Sequence, residues 1–527
     1  MIDRSARHTS LAWRFLAVCL FFSLLTGCAS LPSLAGRSTS SALAEPEARG
    51  TALGRALDPQ LAAHPGASGV YPLADALSAF AARMRLAQTA ERSLDVQYYI
   101  WHGDTTGTLL FNALRAAADR GVRVRLLLDD NNTQGLDATL AALDAHPNIE
   151  VRLFNPFALR GPRALGYLTD FSRLNRRMHN KSFTADNRVT IVGGRNIGDE
   201  YFGVDDGQQF ADLDVAAVGP VVGEVSGAFD RYWASESAYP VARLLSPAPP
   251  SRLRELAALA SVSMHHPANA ARARALRDST FIRELLGQRL PLEWAPAHLL
   301  TDDPAKGLGK AAPAGLLANQ LEGAIGQPEE YMSLVSPYFV PTAGGVEAFG
   351  DLRRRGVKVR VLTNSLAATD VAIVHAGYAK RRRAMLESGI TLYEMRRNPL
   401  SPHPERMRID NIGRFGSSGS SLHAKTFTVD RSRVFIGSFN FDPRSARLNT
   451  ELGLVIDSPP LAQQIATAFR EPIPANAYEV RLDAHGDLYW VEQRDGQELR
   501  YYHDPDTSFW QRAEVAFFSL LPIEGML

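Results

Sequence analysis

Two stretches of the chain carry the same pattern of polar residues and decide which fold to expect. Residues 179–196 read HNKSFTADNRVTIVGGRN, and residues 423–440 read HAKTFTVDRSRVFIGSFN. His, Lys, Asp, Gly and Asn recur at identical intervals, and the second copy begins 244 residues after the first (423 − 179 = 244). At average residue usage, five such identities arise by chance in a chain of this length roughly once in ten thousand sequences. Two copies therefore indicate an internal duplication.

Each copy has the signature of a β-hairpin. In the first copy, apolar runs at residues 182–185 and 189–192 flank a polar turn at residues 186–188, which predicts two antiparallel strands. His179 and Lys181 are two residues apart, so on an extended chain they face the same side. One copy thus presents an imidazole and an ammonium group together.

A pair of such sites has a direct chemical use in phosphodiester transfer. One neutral histidine attacks phosphorus while the other, as imidazolium, protonates the leaving alkoxide. The lysines and asparagines meet the charge that grows on the phosphoryl oxygens, so no metal and no cofactor are expected. The candidate catalytic residues are His179, Lys181, Asp186, Asn196, His423, Lys425, Asp430 and Asn440.

The repeated pattern, H-x-K-x(4)-D-x(6)-G-x(2)-N, resembles the signature motif of the phospholipase D superfamily. The resemblance implies a covalent phosphohistidine intermediate and assigns the nucleophile to His179. A nucleophilic histidine also needs an acceptor on its far ring nitrogen, which fixes the tautomer. Asp212 and Glu451, each on an apolar strand after its motif, resemble the acids that orient the histidines in this superfamily.

The segments before each motif alternate between strand and helix patterns. The runs RGVRVRLLLDD at residues 120–130 and RGVKVRVLTNS at residues 355–365 are recognisably the same element in two halves. Such alternation favours a mostly parallel sheet with helices packed on it. We expect an α/β fold of two duplicated phospholipase D-like α/β/α halves, whose mixed β-sheets share one active-site cleft.

Length and composition fit this organisation. The 527 residues are 45% hydrophobic and 21% charged, which is enough for two core-bearing domains and their linkers. The domains that we expect are a first phospholipase D-like domain at 70–245, a helical insertion at 246–291, a second phospholipase D-like domain at 292–475, and a C-terminal β-meander with a helix at 476–527.

Residues 1–27 have the features of a signal peptide. A basic segment precedes an apolar run that is too short to span a bilayer. The run ends in Leu25-Thr26-Gly27-Cys28, which resembles a bacterial lipobox and implies cleavage before Cys28 and its lipidation. A general secretory signal with an incidental cysteine is the alternative. Residues 28–69, rich in Ala, Ser, Pro and Gly, predict a flexible tether.

The position after the lipidated cysteine bears on the membrane that carries the anchor. It is Ala29, and not the aspartate that usually signals retention in the inner membrane of two-membraned bacteria. We therefore expect a protein that faces the periplasm, with the outer membrane favoured over the inner one.

Cysteine content and charge limit the disulfides and the binding partners that we expect. Cys19 and Cys28 are the two cysteines of the chain, which leaves none for a disulfide in the mature protein. Loss of residues 1–27 removes three arginines and one aspartate and changes the net charge from +1 to −1. A chain without basic excess is a poor candidate for nucleic-acid binding. The expected partners are phospholipid substrates and a membrane, no nucleic acid is expected, and the protein is expected to be a monomer.

Three further stretches indicate which branch of the superfamily the chain resembles. They are VQYYIWHGDTTG at 96–107, TNSLAATDVAIVHAGYAKRRR at 363–383 and FFSLLPIEGML at 517–527. They look like the bacterial cardiolipin synthase branch, most like its C subgroup, and the resemblance covers nearly all of residues 70–527. It implies a phosphatidyltransferase that makes cardiolipin from phosphatidylglycerol and a donor phospholipid. A phospholipase D that uses water, a phosphodiesterase or nuclease, and a noncatalytic surface lipoprotein are the alternatives.

Overall fold

The structure, a computed structural model, describes residues 30–203, 209–249, 251–397, 420–494 and 496–527. The predicted signal peptide and Cys28 lie outside the described residues. The described chain folds into two large mixed β-sheets with helices packed on them. This architecture confirms the predicted α/β class with two related halves.

The first half is organised around a nine-stranded sheet. Its strands, in chain order, are β1 (Ser68–Leu73), β2 (Ser93–Ile100), β3 (Arg123–Asn132), β4 (Ile149–Phe154), β5 (Ser182–Ala185), β6 (Val189–Gly193), β8 (Asp214–Val218), β9 (Ala238–Pro240) and β10 (Glu293–Ala295). In space they follow the order β10-β1-β8-β6-β5-β2-β3-β4-β9. The neighbours β2, β3 and β4 run parallel, and the other pairs are antiparallel.

The second half is organised around a ten-stranded sheet. Its strands are β11 (Ala297–Thr301), β12 (Tyr331–Val335), β13 (Lys358–Asn364), β14 (Thr391–Met395), β16 (Lys425–Val429), β17 (Arg433–Gly437), β18 (Leu452–Ile456), β19 (Ala477–Leu482), β20 (Leu488–Arg494) and β21 (Gln497–Tyr501). Their spatial order is β11-β18-β17-β16-β12-β13-β14-β19-β20-β21. The run β18-β17-β16-β12-β13-β14 repeats the run β8-β6-β5-β2-β3-β4, which is the internal duplication at the level of topology.

A short third sheet joins the halves. Strand β7 (Gln209–Ala211) of the first half pairs in parallel with β15 (Ser420–Leu422) of the second. The two large sheets also share one apolar cluster, in which Val192 and Val215 lie with Ile436 and Leu454. The strands that follow each motif therefore meet at the boundary between the halves.

Helices cover the sheets. Those of the first half and the following segment are α1 (Glu45–Arg49), α2 (Ala52–Ala63), α3 (Ala76–Thr89), α4 (Thr105–Asp119), α5 (Asp137–Asp144), α6 (Gly166–Leu174), α7 (Pro220–Ala234), α8 (Ser251–His265), α9 (Ala270–Asp278) and α10 (Phe281–Leu286). Those of the second half are α11 (Leu317–Ile325), α12 (Thr342–Arg354), α13 (Ala372–Glu387), α14 (Pro443–Arg447), α15 (Pro459–Ala468), α16 (Pro472–Asn476) and α17 (Phe509–Leu520).

The N-terminal segment differs from the sequence prediction. Residues 28–69 were expected to form a tether, yet α1, α2 and the start of β1 lie within them, and Leu53 and Leu57 are fully buried in the first core. The side chain of Thr51 caps α2 by accepting a hydrogen bond from the Gly54 amide at 3.0 Å. The Ala-rich composition of the stretch hid this capped helix, which only the helical spacing of its leucines indicates.

The ends of the second half also refine the predicted boundaries. The meander β19-β20-β21 extends the second sheet, because β19 pairs antiparallel with β14. The change from the first sheet to the second falls between Ala295 and Ala297. The last strand of the first sheet is therefore contributed by the start of the segment that was assigned to the second domain.

Candidate active site

Both motifs form the expected hairpins. Strand β5 pairs with β6, and β16 pairs with β17, in antiparallel register. The two-residue turns place Asp186 and Asn187, and likewise Asp430 and Arg431, at φ values near +50°, which is the backbone geometry of tight hairpin turns. The hairpins hold each motif histidine and lysine just before, or at the start of, the strand β5 or β16.

Backbone pairing between the halves sets the partner of each histidine. The amide of His179 donates to the carbonyl of Thr450 at 2.9 Å. The amide of His423 donates to the carbonyl of Ala211 at 2.8 Å, next to the β7–β15 pair. Each histidine is thus held beside the residue that follows its pairing partner in the opposite half, which is Glu451 in one case and Asp212 in the other.

The side-chain contacts show the same crossed arrangement. Nδ1 of His179 lies 2.8 Å from Oε2 of Glu451, and Nδ1 of His423 lies 2.6 Å from Oδ2 of Asp212. All four side chains are buried. Because each carboxylate occupies Nδ1, the Nε2 atom of each imidazole is left to face a substrate. Each half therefore supplies the acid that orients the histidine of the other half.

Burial and neighbouring charge lower the pKa of both imidazoles. Desolvation, followed by the charge of Lys425, lowers the pKa of His423 to about 4. Desolvation, followed by the charges of Lys181 and Lys425, holds the pKa of His179 well below its usual value. Lysines from both halves thus act on His179, which places the two motifs in one electrostatic environment.

The two carboxylates differ in charge state. Burial raises the pKa of Glu451 to about 7. Burial acts on Asp212 in the same direction, but the attraction of His423 and its hydrogen bond, together with Lys425, outweigh burial and hold the pKa of Asp212 below its ordinary value. The pair Asp212–His423 is therefore the more strongly polarised of the two.

The motif lysines are buried next to the imidazoles. Nζ of Lys181 donates to the carbonyl of His179 at 2.5 Å. Nζ of Lys425 donates to the carbonyl of His423 and lies 3.0 Å from its Nδ1. Burial lowers the pKa of Lys425 to about 8 and lowers the pKa of Lys181 well below its usual value. Both ammonium groups are positioned to attract a phosphate anion into the cleft.

The motif asparagines lie in the same buried region. The Asn196 side chain accepts a hydrogen bond from the amide of Ile100 at 3.1 Å and donates to the hydroxyl of Tyr201 at 3.1 Å. The Oδ1 atom of Asn440 is buried without a hydrogen-bond partner in the described residues. Asn440 is thus the less constrained of the two amides.

The motif aspartates do not lie with the other candidates. The carboxylate of Asp186 sits in the hairpin turn and accepts hydrogen bonds from the backbone amides of Glu91, Arg92 and Ser93. Asp430 accepts from the amides of residues 329–331 in the same way. We expected both aspartates in the catalytic set. In the structure, their hydrogen bonds instead connect each hairpin turn to the start of the neighbouring strand.

This placement predicts that Asp186→Asn affects stability and spares chemistry. Charge-assisted hydrogen bonds to backbone amides are lost, so the free energy of unfolding is expected to fall by about 1–2 kcal/mol. Turnover per folded molecule is expected to stay within about twofold, because catalysis depends on groups that contact the reacting atoms. Chemical denaturation and assays on protein of measured folded fraction check this, and lost turnover at unchanged stability would contradict it.

Several groups around the two histidines were not predicted from the sequence. The rings of Tyr99 and Tyr201 lie edge-on to His179 and His423, with centroid distances of 4.9 and 5.2 Å. The hydroxyl of Ser445 donates to Glu451 at 2.8 Å, and the hydroxyl of Ser438 also donates to Glu451. Ser438 lies inside the second motif stretch, so its position was a signal, whereas Ser445 and the tyrosines carry no pattern that marks them.

One cluster of metal-ligand types lies close to these groups in the chain. Ligand atoms of His102, Asp104 and Glu200 lie within 4.8 Å of one another. Nδ1 of His102 lies 3.2 Å from Glu200, and Asp104 caps α4 by accepting a hydrogen bond from the Gly107 amide. A salt bridge and a helix cap account for the three side chains.

Two histidine–lysine sets, brought together in one buried site and each oriented by an acid from the other half, define a phospholipase D-like enzyme. The family model described as cardiolipin synthase, PLD-like domain, matches residues 84–233 and 321–473. The chain therefore belongs to this family, and it is an enzyme of the phosphatidyltransferase type. The predicted family, fold class and enzyme class are confirmed.

Individual proteins agree with this assignment. The chain is 52% identical to cardiolipin synthase C of Escherichia coli over 476 residues, which cover 90% of this chain and 99% of that protein. It is 31% identical to an uncharacterized protein of Helicobacter pylori over 478 residues, with 90% and 92% coverage. The crystal structure of phosphatidylserine synthase from Haemophilus influenzae has a TM-score of 0.56 at 13% identity, covering 90% of this chain and 100% of that one, which shows a shared fold.

Proposed function

We propose that the protein transfers a phosphatidyl group from a donor phospholipid to phosphatidylglycerol, through a phosphohistidine on His179, and so makes cardiolipin. The observation that carries the proposal is the crossed pair of contacts from Nδ1 of His179 and His423 to Glu451 and Asp212. This arrangement aims two Nε2 atoms at one substrate, as a nucleophile and an acid–base group require.

The first half-reaction places the donor phosphorus between the imidazoles. Nε2 of His179 attacks phosphorus and forms a P–N bond. The P–O bond to the leaving alcohol breaks, and Nε2 of His423 gives its proton to the departing oxygen. The second half-reaction reverses these roles, since His423 takes the proton of the acceptor hydroxyl, whose oxygen displaces His179 from phosphorus.

The substrate itself supports these protonation states. Burial and the lysine charges lower the pKa of both imidazoles. A bound phosphodiester brings a negative charge beside them, which offsets the lysines and favours the imidazolium form of His423. Asp212 then stabilises that imidazolium through Nδ1. The ammonium groups of Lys181 and Lys425 are placed to attract the phosphoryl oxygens as charge develops.

The second half has room for an apolar chain in a cavity whose lining includes the two chain neighbours of Asn440. A cavity of about 990 Å³ is lined by Phe439 and Phe441, which flank Asn440, and by Phe349 and Leu352 of α12. This volume is at the upper end of the range of about 300–1,000 Å³ for ligand sites in proteins. A largely apolar cavity in the half that carries the second motif supports a lipid as substrate.

The choice of acceptor decides between a transferase and a hydrolase. A phosphohistidine reacts with any hydroxyl that reaches phosphorus, and bulk water is in large excess. Holding a glycerol hydroxyl in attack geometry is worth an effective concentration of roughly 10⁵ M or more, which is enough to outcompete water. We therefore expect selective transfer where phosphatidylglycerol is bound.

In the test, the purified full-length protein is mixed with vesicles of phosphatidylglycerol and phosphatidylethanolamine. Cardiolipin and phosphatidic acid are then quantified by mass spectrometry as phosphatidylglycerol is raised to saturation. Cardiolipin is expected to be the dominant product. Dominance of phosphatidic acid at saturation would identify the enzyme as a phospholipase D that uses water.

We also propose that the mature protein is a monomer held at the membrane by lipid on Cys28, facing the periplasm, with the outer membrane favoured. Among the helices of the described residues, none has the length and apolarity to cross a bilayer. Cys28→Ser is expected to shift the protein from membrane to soluble fractions after an alkaline wash that also removes peripherally bound protein. Retention of that variant in the membrane fraction, or of the wild type in the inner membrane, would contradict the respective part.

A further inference from the structure

Exposed apolar side chains of the described chain are concentrated in two segments. Of eleven large apolar residues that are exposed there, nine lie at residues 165–171 or 502–526. Scattered apolar side chains on a surface are ordinary, whereas a concentration of this kind marks an interaction site. The nine residues are Leu165, Leu168, Phe171, Tyr502, Phe509, Trp510, Phe517, Leu520 and Met526.

Helix α17 presents most of this apolar surface. Its inner face is packed against the protein, because Val515 and Phe518 lie in a cluster with Leu366 and residues of α13. A capping box between Ser508 and Gln511 fixes its start. The opposite face carries apolar residues at helical spacing, and Trp510 and Leu520 are 78% and 83% exposed. The outward residues do not hold the helix in place, so their apolarity requires another partner.

Helix α14 connects the two exposed segments to the active site. Nη2 of Arg444 donates to the carbonyl of Asn175, at the end of α6, at 2.8 Å. The amide of Arg444 donates to the carbonyl of Leu527 at 2.7 Å. The next residue, Ser445, donates to Glu451 at 2.8 Å. The two apolar segments therefore flank a helix whose inner side chain touches the carboxylate that orients His179.

The surface between the two apolar segments carries basic side chains. Arg444 bridges them, and Arg447 of the same helix is exposed. Nη1 of Arg176 donates to the carbonyl of Arg447 at 3.0 Å, which keeps a third guanidinium group in this area. Apolar and aromatic side chains beside arginines match the boundary of an anionic bilayer, where rings and chains enter the interface and cations meet headgroups.

We propose that the face formed by residues 165–171, α14 and residues 502–527 docks on an anionic lipid bilayer. The proposal rests on the proposed function, because the substrates are then lipids of that bilayer. The apolar residues of α6 and α17 enter the headgroup boundary, and the arginines between them bind phosphate groups. Docking in this orientation brings the bilayer to α14, whose Ser445 contacts the carboxylate that orients His179, so that a headgroup reaches the histidines while its chains stay near the membrane.

The first test measures insertion directly. Trp510 is the exposed tryptophan among the described residues, so contact with brominated acyl chains should quench its fluorescence. Full-length protein is mixed with vesicles of phosphatidylglycerol and phosphatidylethanolamine that carry brominated chains. Quenching that disappears in Trp510→Phe is the expected result. Equal quenching in wild type and Trp510→Phe would overturn the proposal.

The second test compares matched surface variants. Phe517→Ser/Leu520→Ser is expected to lower turnover on vesicles by roughly tenfold and to leave turnover of a soluble short-chain phosphatidylglycerol unchanged. The control is Leu259→Ser/Val262→Ser on α8, which removes two other exposed apolar residues, 55% and 68% exposed against 60% and 83% for Phe517 and Leu520, and should change neither rate. Equal vesicle turnover in the two double variants would overturn the proposal.

The outcomes separate this inference from the proposed function. Quenching of Trp510 with phosphatidic acid as the main product would retain the docking face and reject the synthase. Cardiolipin synthesis with an unquenched Trp510 would do the reverse. A wild-type dimer that the Phe517→Ser/Leu520→Ser variant dissociates, without quenching, would assign the face to a second copy of the chain and reject the bilayer.

Discussion

Replacing either His179 or His423 with alanine is expected to lower turnover by at least about 10⁴-fold. The two imidazoles have different roles in one reaction, so the remaining histidine cannot replace the missing one. Both variants should stay folded, because each removed ring faces the cleft from a hairpin whose backbone pairing is unaffected. Substantial turnover in either single variant would reject a shared site.

The same variants assign the roles when the leaving group needs no acid. From a phosphatidyl ester of a nitrophenol, the nitrophenolate leaves as an anion without protonation. His423→Ala should then release one equivalent of nitrophenol in a burst and accumulate a phosphatidyl group on His179, since the second half-reaction lacks its base. His179→Ala should show no burst. A burst in His179→Ala alone would transfer the nucleophile to His423.

Much of this site follows from local sequence pattern. The two hairpins and the shared side of His179 and Lys181 depend on strand periodicity alone, which short apolar runs around a polar turn reveal. The repeated strand at residues 120–130 and 355–365 likewise predicts two similar sheets. The structure has these strands as β3 and β13, each in the middle of a parallel trio.

Other features depend on contacts that no local pattern encodes. Asp212 and Glu451 were recognisable as acids on the strand after each motif, but their exchange between halves arises from the pairing of Met178 with Thr450 and of β7 with β15. The aspartate of each motif looks the same in sequence whether it binds a substrate or backbone amides. Its position in the turn, where amides of the neighbouring strand point at it, decides the matter for Asp186.

Glu451→Gln and Asp212→Asn are expected to lose activity alike and to change stability in opposite directions. Each amide can donate to Nδ1 and so favours the wrong tautomer of its histidine, a change worth about 10⁴-fold in a comparable histidine–aspartate pair. The stability effects differ because burial raises the pKa of Glu451 to about 7, whereas His423 and Lys425 outweigh burial at Asp212 and lower its pKa.

The signs follow from the direction of each shift. A carboxyl whose folded pKa is raised contributes stability that is present below its unfolded pKa, near 4.5, and is lost as pH rises through about 7. At pH 8.5 the Glu451 charge thus costs on the order of 3 kcal/mol, which Glu451→Gln removes. Asp212 contributes stability above its unfolded pKa, near 3.8, so Asp212→Asn is expected to destabilise the protein throughout the neutral range.

Thermal unfolding at pH 5.5 and pH 8.5 separates these effects from activity. Relative to wild type, Glu451→Gln should gain stability between the two pH values, while Asp212→Asn should be less stable at both. Ser445→Ala is the matched control for Glu451, because it removes a hydrogen bond that lowers the pKa of that carboxyl without removing its charge. It should therefore lose stability between the two pH values at least as much as the wild type does. If Glu451→Gln lost stability at pH 8.5 as Asp212→Asn does, Glu451 would be an ionised partner of His179, and the two histidines would be equally polarised.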